Sequence, residues 1–336
     1  MERTALNLSV APQTLAERRE GLFAHNLKPY IGILLVAVIA SYALWVRERS
    51  IFACPASGYS ADRYLAYCNG ANYGDYEHGA FWFGLEPVLG YANKADVLFL
   101  GNSRMEKAFS VNATSDWFSN KSARYYLMGF SYGENMSFAG PLLRKIKPMA
   151  SVYVINVDDF FDPTETPPGG TVMDDPRSLG RYDGKRFWQH VQERVCGTFS
   201  RLCGVKAATF RSRETGAYTM QEPAGNEPVS FDETVRQDDV DRGATAAKGF
   251  LKEFTQGKCV ILTQVPTVET RIGYAKAVAA ALGMKLVTPD VPGETLETGD
   301  GSHLKAASAE RWSEAFFEAA GPEIQSCLEK HRASAS

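Results

Sequence analysis

Ser103 and His303 are the residues of this sequence whose types and surroundings best indicate nucleophilic chemistry. Ser103 follows an apolar run in the stretch VLFLGNSRMEKAFS, and His303 follows Asp300 by three residues in GDGSHLKAASAERWSEAFF. A serine becomes a nucleophile when an adjacent imidazole takes its proton, and the imidazole needs an orienting carboxylate. Because a spacing of three at a helix start brings two side chains together, we predict that Asp300 holds His303. As turn and capping residues, the same side chains would need no function.

The other four histidines of the sequence show no comparable arrangement. His78 lies among aromatic residues and is predicted to be structural, whereas His190 is predicted to be solvated on a helix. His25 precedes an apolar span, and His331 lies in a polar C-terminal tail. The sequence has no CxxC pair or His-rich cluster of the kind that binds zinc, so we predict no metal and no cofactor.

Short apolar runs alternate with helix-like segments over most of the chain after residue 95. The apolar runs are ADVLFLGNS, ARYYLMGFS, ASVYVINVDD, KCVILTQVP and MKLVTPD. Between them, SFAGPLLRKIKP, DRGATAAKGFLKEFTQG and RIGYAKAVAAALG have apolar residues at helical spacing. This alternation predicts an α/β fold with a parallel sheet covered on both faces. Chemistry in such folds gathers at the carboxyl ends of the strands, where Ser103 is placed.

Two segments depart from the alternation. Residues 47–94 are rich in Tyr, Gly and other aromatics without a clear period, and we interpret them as a connecting segment. Residues from about 161 to 240 form a long insertion after a central strand, with a helix predicted between Phe187 and Leu202 from apolar spacing. A long insertion forms a lid or a partner surface in some proteins and has no role in others.

An uncharged segment, YIGILLVAVIASYALWV, precedes these regions at residues 30–46. It is long enough to cross a hydrocarbon core as a helix, and aromatic residues lie toward its ends. We predict an uncleaved transmembrane helix. A cleaved signal peptide is the alternative, but the arm at residues 1–29 is long for one and no small-x-small cleavage site follows. Positive charge near the span favours a cytoplasmic arm and an external C-terminal part.

Six cysteines all follow the apolar span, as expected for a domain in an oxidising compartment. The sequence does not select a pairing, and buried free thiols are the alternative. We predict the pairs Cys54 with Cys68, Cys196 with Cys203, and Cys259 with Cys327. The net charge of −3 provides no basic field, so we predict no nucleic-acid partner.

Two stretches resemble the SGNH/GDSL hydrolase superfamily. FLGNSRMEKAFS resembles its first block, in which a Gly-Asp-Ser type turn after the first strand carries the nucleophile. DGSHLKAASAERW resembles its last block, Asp-x-x-His-Leu. The resemblance covers about residues 95–320 without the insertion. It implies a flavodoxin-like three-layer α/β/α domain at residues 95–330, with Ser103 as nucleophile, His303 as general base and Asp300 as orienting acid.

The middle blocks of the family match less closely. YYLMGFSYGEN offers Gly129, with Gly133 in reserve, so the resemblance implies an oxyanion hole formed by the backbone N–H groups of Ser103 and Gly129. The third block, normally Gly-x-Asn-Asp, reads NVDD, which puts Asp158 in the place of the asparagine and Asn156 in that of the glycine. Because a carboxylate would repel an oxyanion, either Asn156 donates from a shifted position or the hole has fewer donors.

Altered middle blocks resemble membrane-tethered branches of the superfamily that modify bacterial envelope polysaccharides. The resemblance implies a single-pass protein of the bacterial inner membrane with its C-terminal domain in the periplasm. The expected activity is that of a serine acyl esterase or O-acyltransferase acting on acetyl-like esters. Its expected partners are the membrane, an acyl donor, a cell-envelope glycan acceptor and a membrane protein. Arg104, beside the serine, either contacts an anionic substrate or caps local carbonyl groups.

Two other classes of function stay open. The altered third block and the long insertion are also compatible with a catalytically degenerate SGNH-fold scaffold or binding subunit of a membrane-associated polysaccharide assembly. Substitution of Ser103 would separate this class from an enzyme. A flavodoxin-like binding domain is a further alternative, although the sequence shows no Gly-rich phosphate-binding loop.

Overall fold

The computed structural model describes residues 15–70, 73–220, 224–292 and 295–335. Residues 1–14, about half of the predicted cytoplasmic arm, lie outside this part. The first helix, α1 (Leu15–Arg49), contains the predicted span of residues 30–46. Its segment Leu27–Arg49 has a mean hydropathy of 2.0 and buries none of its most apolar window against the rest of the chain. This helix is therefore long and apolar enough to cross a membrane.

The remaining elements alternate along the chain. The other helices are α2 (Glu77–Trp82), α3 (Val88–Asn93), α4 (Ser103–Ala108), α5 (Val111–Ser119), α6 (Met136–Ile146), α7 (Pro167–Asp174), α8 (Ser178–Thr198), α9 (Gln237–Phe254), α10 (Ile272–Leu282) and α11 (Ala306–Ala335). The strands are β1 (Arg63–Cys68), β2 (Gly74–Asp75), β3 (Val97–Asn102), β4 (Tyr125–Phe130), β5 (Val152–Asn156), β6 (Ala208–Ser212), β7 (Tyr218–Met220), β8 (Glu227–Pro228), β9 (Cys259–Thr263), β10 (Leu286–Val287) and β11 (Glu297–Thr298). Short 3₁₀ helices occupy Ile51–Ala53 and Ser200–Leu202.

The central sheet has five parallel strands in the order β10, β9, β5, β3, β4. Leu100 of β3 lies between Met128 of β4 and Ile155 of β5. Numbered by their order along the chain, these five strands lie side by side as 2-1-3-4-5. The second strand, β4, lies on one side of β3 and the later strands lie on the other, so the strand order reverses between β3 and β5. The predicted α/β class with a parallel sheet is confirmed. The crevice at such a reversal, outside the carboxyl ends of the strands, is where open α/β sheets bind ligands.

Helices pack on both faces of this sheet because successive strand residues point to opposite sides. Leu98 and Leu100 pack in a core that includes residues of α6, α9 and α10. Val97 and Phe99 pack in a second core with residues of α4, α5 and α11. Burial on both faces accounts for the continuous apolar runs of the strands, since neither side is left to solvent.

A second, antiparallel sheet has the strand order β2, β1, β6, β7. Strands β1 and β2 come from residues 47–94, and β6 and β7 come from the insertion at about 161–240. Leu65 of β1 is paired with Phe210 of β6. Residues 47–94, which were expected to be a connecting segment, thus fold together with the insertion, because strands from both segments form this one sheet. The helix predicted in the insertion corresponds to α8.

Three disulfides join the six cysteines in the predicted pairs. They are Cys54–Cys68, Cys196–Cys203 and Cys259–Cys327. The last of these connects β9 of the central sheet to α11, across a sequence separation of 68 residues. It therefore fastens the C-terminal helix to the sheet that it covers.

Candidate active site

Ser103 is the first residue of α4, directly after β3. Asn102 caps this helix, because its Oδ1 accepts the N–H of Arg104 at 3.0 Å. A Cβ atom at Gly101 would lie 2.8 Å from the Cβ of Met105, so a glycine is required for the tight passage from strand to helix. The turn places Ser103 at the carboxyl edge of the sheet, beside the point where the strand order reverses.

His303 and Asp300 lie in the loop between β11 and α11. The Nε2 atom of His303 is 2.9 Å from Ser103 Oγ, and its Nδ1 atom is 2.8 Å from Asp300 Oδ2. Asp300 Oδ1 also accepts the backbone N–H of His303 at 2.9 Å. With Nδ1–H donated to the carboxylate, Nε2 is left to accept the proton of the serine hydroxyl. The structure therefore brings the three predicted residues into one hydrogen-bonded row.

The electrostatic surroundings keep His303 neutral. Burial, together with the positive charge of Lys107, lowers the pKa of His303 to about 4, although Asp300 opposes this shift. Burial raises the pKa of Asp300, but hydrogen bonds from His303 and from the amides of His303 and Ser302 outweigh it, so that this pKa is below its ordinary value. At neutral pH a neutral imidazole thus stands between an ionised carboxylate and a serine hydroxyl, as general-base chemistry requires.

The structure corrects the predicted role of Gly129. Its backbone N–H donates to the carboxylate oxygen Oε1 of Glu106 at 2.6 Å, so this amide is already engaged and does not face an oxyanion at Ser103. A Cβ atom at Gly129 would lie 2.5 Å from the backbone oxygen of Asn102. The absence of a side chain at Gly129 therefore allows β4 to approach the end of β3 closely. The reserve candidate, Gly133, lies in an exposed turn with a φ of +66°.

Asn156 ends β5 and is only 1% exposed. Its Oδ1 accepts the backbone N–H of Val265 at 2.9 Å. Its Nδ2 has no hydrogen-bond partner among the residues that the structure describes. A Cβ atom at Gly101, two residues before Ser103, would lie 3.2 Å from the Cβ of Asn156, so this side chain is close to the strand that carries the serine.

Asp158 is held in an ion pair rather than left as an isolated charge. Its Oδ2 accepts a hydrogen bond from Arg104 Nη1 at 2.7 Å and another from Asn102 Nδ2 at 3.1 Å. Arg104 also donates through Nε to Ser302 Oγ at 2.9 Å. The guanidinium thus connects the segment after β5 with the loop that carries His303, and it neutralises the carboxylate of Asp158.

A cavity of about 270 Å³ opens beside His303. Its lining includes Lys107 from α4, Phe109 and Val111 after it, and Met220 from β7. Lys107 and Glu106 are residues of this cavity that the sequence did not indicate. Their spacing of four and three from Ser103, about one helical turn, is the signal that points to them.

Arg211 is a further residue that the sequence did not indicate. This β6 side chain is fully buried and forms ion pairs with Glu77 and Glu106, at 3.1 and 2.9 Å. It also donates to the backbone oxygens of Leu127 and Gly129. No local pattern identifies this residue, because its environment depends on the pairing of β6 with β1.

His78 is buried between two carboxylates, in keeping with the structural role expected for it. Its Nδ1 is 2.9 Å from Asp75 Oδ1 and its Nε2 is 3.0 Å from Glu134 Oε2. Burial lowers the pKa of His78, but the two carboxylates outweigh it and raise that pKa to about 10. Asp75, Glu77 and His78 lie close enough to hold a metal ion. Both ring nitrogens are already engaged, however, and Glu77 is paired with Arg211.

No family model, curated protein or solved structure matches this chain.

Proposed function

We propose that this chain is an SGNH-type serine acyl esterase or O-acyltransferase. The observation that carries the proposal is the hydrogen-bonded row of Ser103, His303 and Asp300, which lies at the carboxyl edge of a parallel sheet. The 2-1-3-4-5 strand order, with a layer of helices on each face, supports a flavodoxin-like domain of this type.

The proposed reaction passes through an acyl-enzyme. Ser103 Oγ attacks the ester carbonyl carbon while its proton moves to His303 Nε2. The bond from the carbonyl carbon to the alcohol oxygen then breaks, and the departing oxygen takes that proton from His303. Water, or a sugar hydroxyl, next gives a proton to His303 and attacks the acyl carbon of the acyl-enzyme. The bond from that carbon to Ser103 Oγ then breaks, and the serine oxygen takes the proton back from His303. Asp300 stabilises the imidazolium that forms in each half of the cycle.

The negative charge that develops on the carbonyl oxygen requires hydrogen-bond donors, each worth about 3 kcal/mol in comparable sites. The backbone N–H of Ser103 remains the predicted first donor. The side-chain amide of Asn156 is the proposed second donor, because its Nδ2 has no partner among the described residues and it lies beside β3. Asp158 does not oppose this charge strongly, since Arg104 neutralises it.

We propose a location in the bacterial inner membrane, with α1 as the single span and the remaining elements in the periplasm. The apolar helix and the three disulfides support this location. A site tethered at the membrane would act where envelope glycans pass, so the proposed acceptor or substrate is an acylated cell-envelope glycan, with a membrane protein as a further partner.

The second candidate is a catalytically degenerate SGNH-fold scaffold or binding subunit of a polysaccharide assembly. One specific observation favours it. The amide of Gly129, which would complete an oxyanion hole, is bound to Glu106. A site with fewer donors would stabilise the transition state less.

The deciding experiment is intact-mass analysis of the full chain in detergent after exposure to a fluorophosphonate. We expect a single adduct that Ser103→Ala and His303→Ala each abolish. Ser119→Ala, which changes an exposed serine on α5, should leave the adduct in place. A folded protein that forms no adduct would contradict the enzyme and favour the scaffold.

The direction of the reaction can be determined in cells that carry Ser103→Ala. Loss of an esterase raises the ester content of its glycan, whereas loss of a transferase lowers it. Unchanged acyl ester content on every envelope polymer would rule out the proposed substrate class.

A further inference from the structure

We propose that the cavity beside His303 binds a carboxylate carried by the ester substrate, and that Lys107 selects it. This inference rests on the proposed function, because the position of the ester is taken from Ser103 and His303. It adds the chemical class of the substrate, which is an ester with an anionic group a few bonds from the carbonyl carbon.

The cavity is continuous with the candidate active site. His303 and Leu304 line it together with Lys107 and Phe109. Lys107 follows Ser103 by four residues on α4, so the two side chains project from the same face of the helix. A substrate whose carbonyl carbon is at Ser103 would therefore extend a neighbouring group toward the amine.

The amine of Lys107 has no direct ion pair among the residues that the structure describes, although the charge of Asp300 acts on it. The side chain is half-buried, and its Nζ has no hydrogen bond or ion pair with any residue in the described part of the chain. Burial lowers the pKa of Lys107 to about 8, against the opposing effect of Asp300, so the amine is mainly protonated at neutral pH. Partial burial of an unpaired cation is unfavourable, and an anion from the ligand would remove this cost.

The acids of the cavity already have other partners. Glu106 Oε1 accepts hydrogen bonds from Arg211 and from the Gly129 amide, and Oε2 has no partner among the described residues. Burial raises the pKa of Glu106 to about 8, so this acid is mainly neutral at neutral pH and does not repel an anion. Glu310 accepts the hydroxyl of Ser110. Since neither acid pairs with Lys107, the cation is available to a ligand.

The remaining walls determine what joins the carboxylate to the ester. Phe109, Val111, Met220 and Leu304 present apolar surface, which suits a short hydrocarbon linker. At about 270 Å³ the cavity takes a short substituent rather than a long acyl chain. The carboxylate is thus part of a dicarboxylic half-ester, on the acyl side, or of a hydroxy acid or uronate, on the alcohol side.

Two matched pairs of esters distinguish a carboxylate on the acyl side from a carboxylate on the alcohol side. Monomethyl succinate and methyl butyrate differ by a carboxylate on the acyl side, and acetoxyacetate and ethyl acetate differ by a carboxylate on the alcohol side. Their dissociation constants are measured by ligand-observed NMR on the full chain in detergent, in the Ser103→Ala background to prevent turnover. We expect an anionic ester to bind about tenfold more tightly than its neutral counterpart, as one charge-assisted hydrogen bond allows.

The preference should disappear in Lys107→Met and persist in Lys107→Arg. Lys252→Met, which removes an exposed lysine on α9, should leave it unchanged. Preference within the first pair places the anion on the acyl group, and preference within the second places it on the alcohol. Equal binding within both pairs, or a preference that survives Lys107→Met, would overturn the inference.

The outcome is separable from the test of the proposed function. Ligand binding in the Ser103→Ala background needs no activated nucleophile, whereas the fluorophosphonate adduct needs no anionic ligand. Binding that depends on Lys107 without labelling would retain the carboxylate site and reject the acyl-transfer reaction. Fluorophosphonate labelling without a preference for anionic esters would retain the acyl-transfer reaction and reject the carboxylate site.

Discussion

Arg211 Nη2 lies 2.9 Å from Glu106 Oε1 and joins the antiparallel sheet to the helix that begins with Ser103. The same guanidinium pairs with Glu77, and all three side chains are at most 1% exposed. One buried cation therefore lies between two buried acidic side chains below the candidate nucleophile, and burial raises the pKa of one of them, Glu106, to about 8. The insertion contributes this cation through β6, so it takes part in positioning the site.

Replacement of Arg211 by Met should destabilise the protein by about 3 to 5 kcal/mol, because it removes the cation that pairs with two buried acidic side chains. Denaturant unfolding of the full chain in detergent, followed by near-ultraviolet circular dichroism, measures the change. Arg213→Met is the matched control, since Arg213 pairs with Glu86 and is more exposed. A loss no larger than that of the control would contradict the prediction.

Asp300→Asn should slow the labelling of Ser103 by a fluorophosphonate about 10²- to 10⁴-fold, the range that general acid–base catalysis contributes. The amide cannot stabilise the imidazolium of His303, although it has nearly the same shape as the carboxylate. Intact-mass analysis of samples quenched at successive times measures the labelling rate. Asp290→Asn, which alters an exposed aspartate, serves as control, and equal rates in the two variants would remove Asp300 from the proposed triad.

The labelling rate should rise with pH through about 4 and be constant near neutrality, because His303 has a pKa of about 4 and must be deprotonated to accept the serine proton. Lys107 lowers this pKa, so Lys107→Met should move the midpoint toward the ordinary histidine value of 6.5. Lys252→Met should not move it. A wild-type midpoint already at 6.5 would show that the site does not depress the pKa of His303.

His78 should make the stability of the protein depend on pH. Its pKa is raised from 6.5 to about 10 on folding, so its stabilising contribution is fully present below pH 6.5 and is lost as pH rises through 10. The difference in unfolding free energy between the wild type and His78→Gln should therefore shrink steadily over this interval. His190→Gln, at an exposed position, provides the comparison. A difference that stays constant with pH would mean that His78 is not a buried imidazolium.

The three disulfides should differ in their contribution to stability. Cys259–Cys327 spans 68 residues and Cys196–Cys203 spans 7. The chain-entropy model gives about 4 and about 2 kcal/mol for loops of these lengths. Thermal unfolding of the two double Cys→Ala variants tests the order, and a larger loss for the shorter loop would contradict it.

Local patterns in the sequence were sufficient for much of this structure. Apolar periodicity predicted the parallel sheet, and an uncharged run predicted the N-terminal helix. The spacing of three between Asp300 and His303 predicted their contact, because residues so close along the chain have few ways to separate. The cysteine pairs also followed the expectation.

The contacts between residues far apart along the chain were decided by the tertiary structure. Ser103 and His303 are 200 residues apart, and the order of the sheet strands brings them to one edge. Glu106 accepts the hydrogen bond of the Gly129 amide, although the family resemblance implied that this amide binds an oxyanion. Arg211 and Lys107 likewise acquire their environments from surrounding elements. Sequence alone determined the elements of the central sheet and the candidate chemical groups, because both depend on local spacing. Only the folded chain decided which groups meet, since burial and pairing arise from contacts between distant segments.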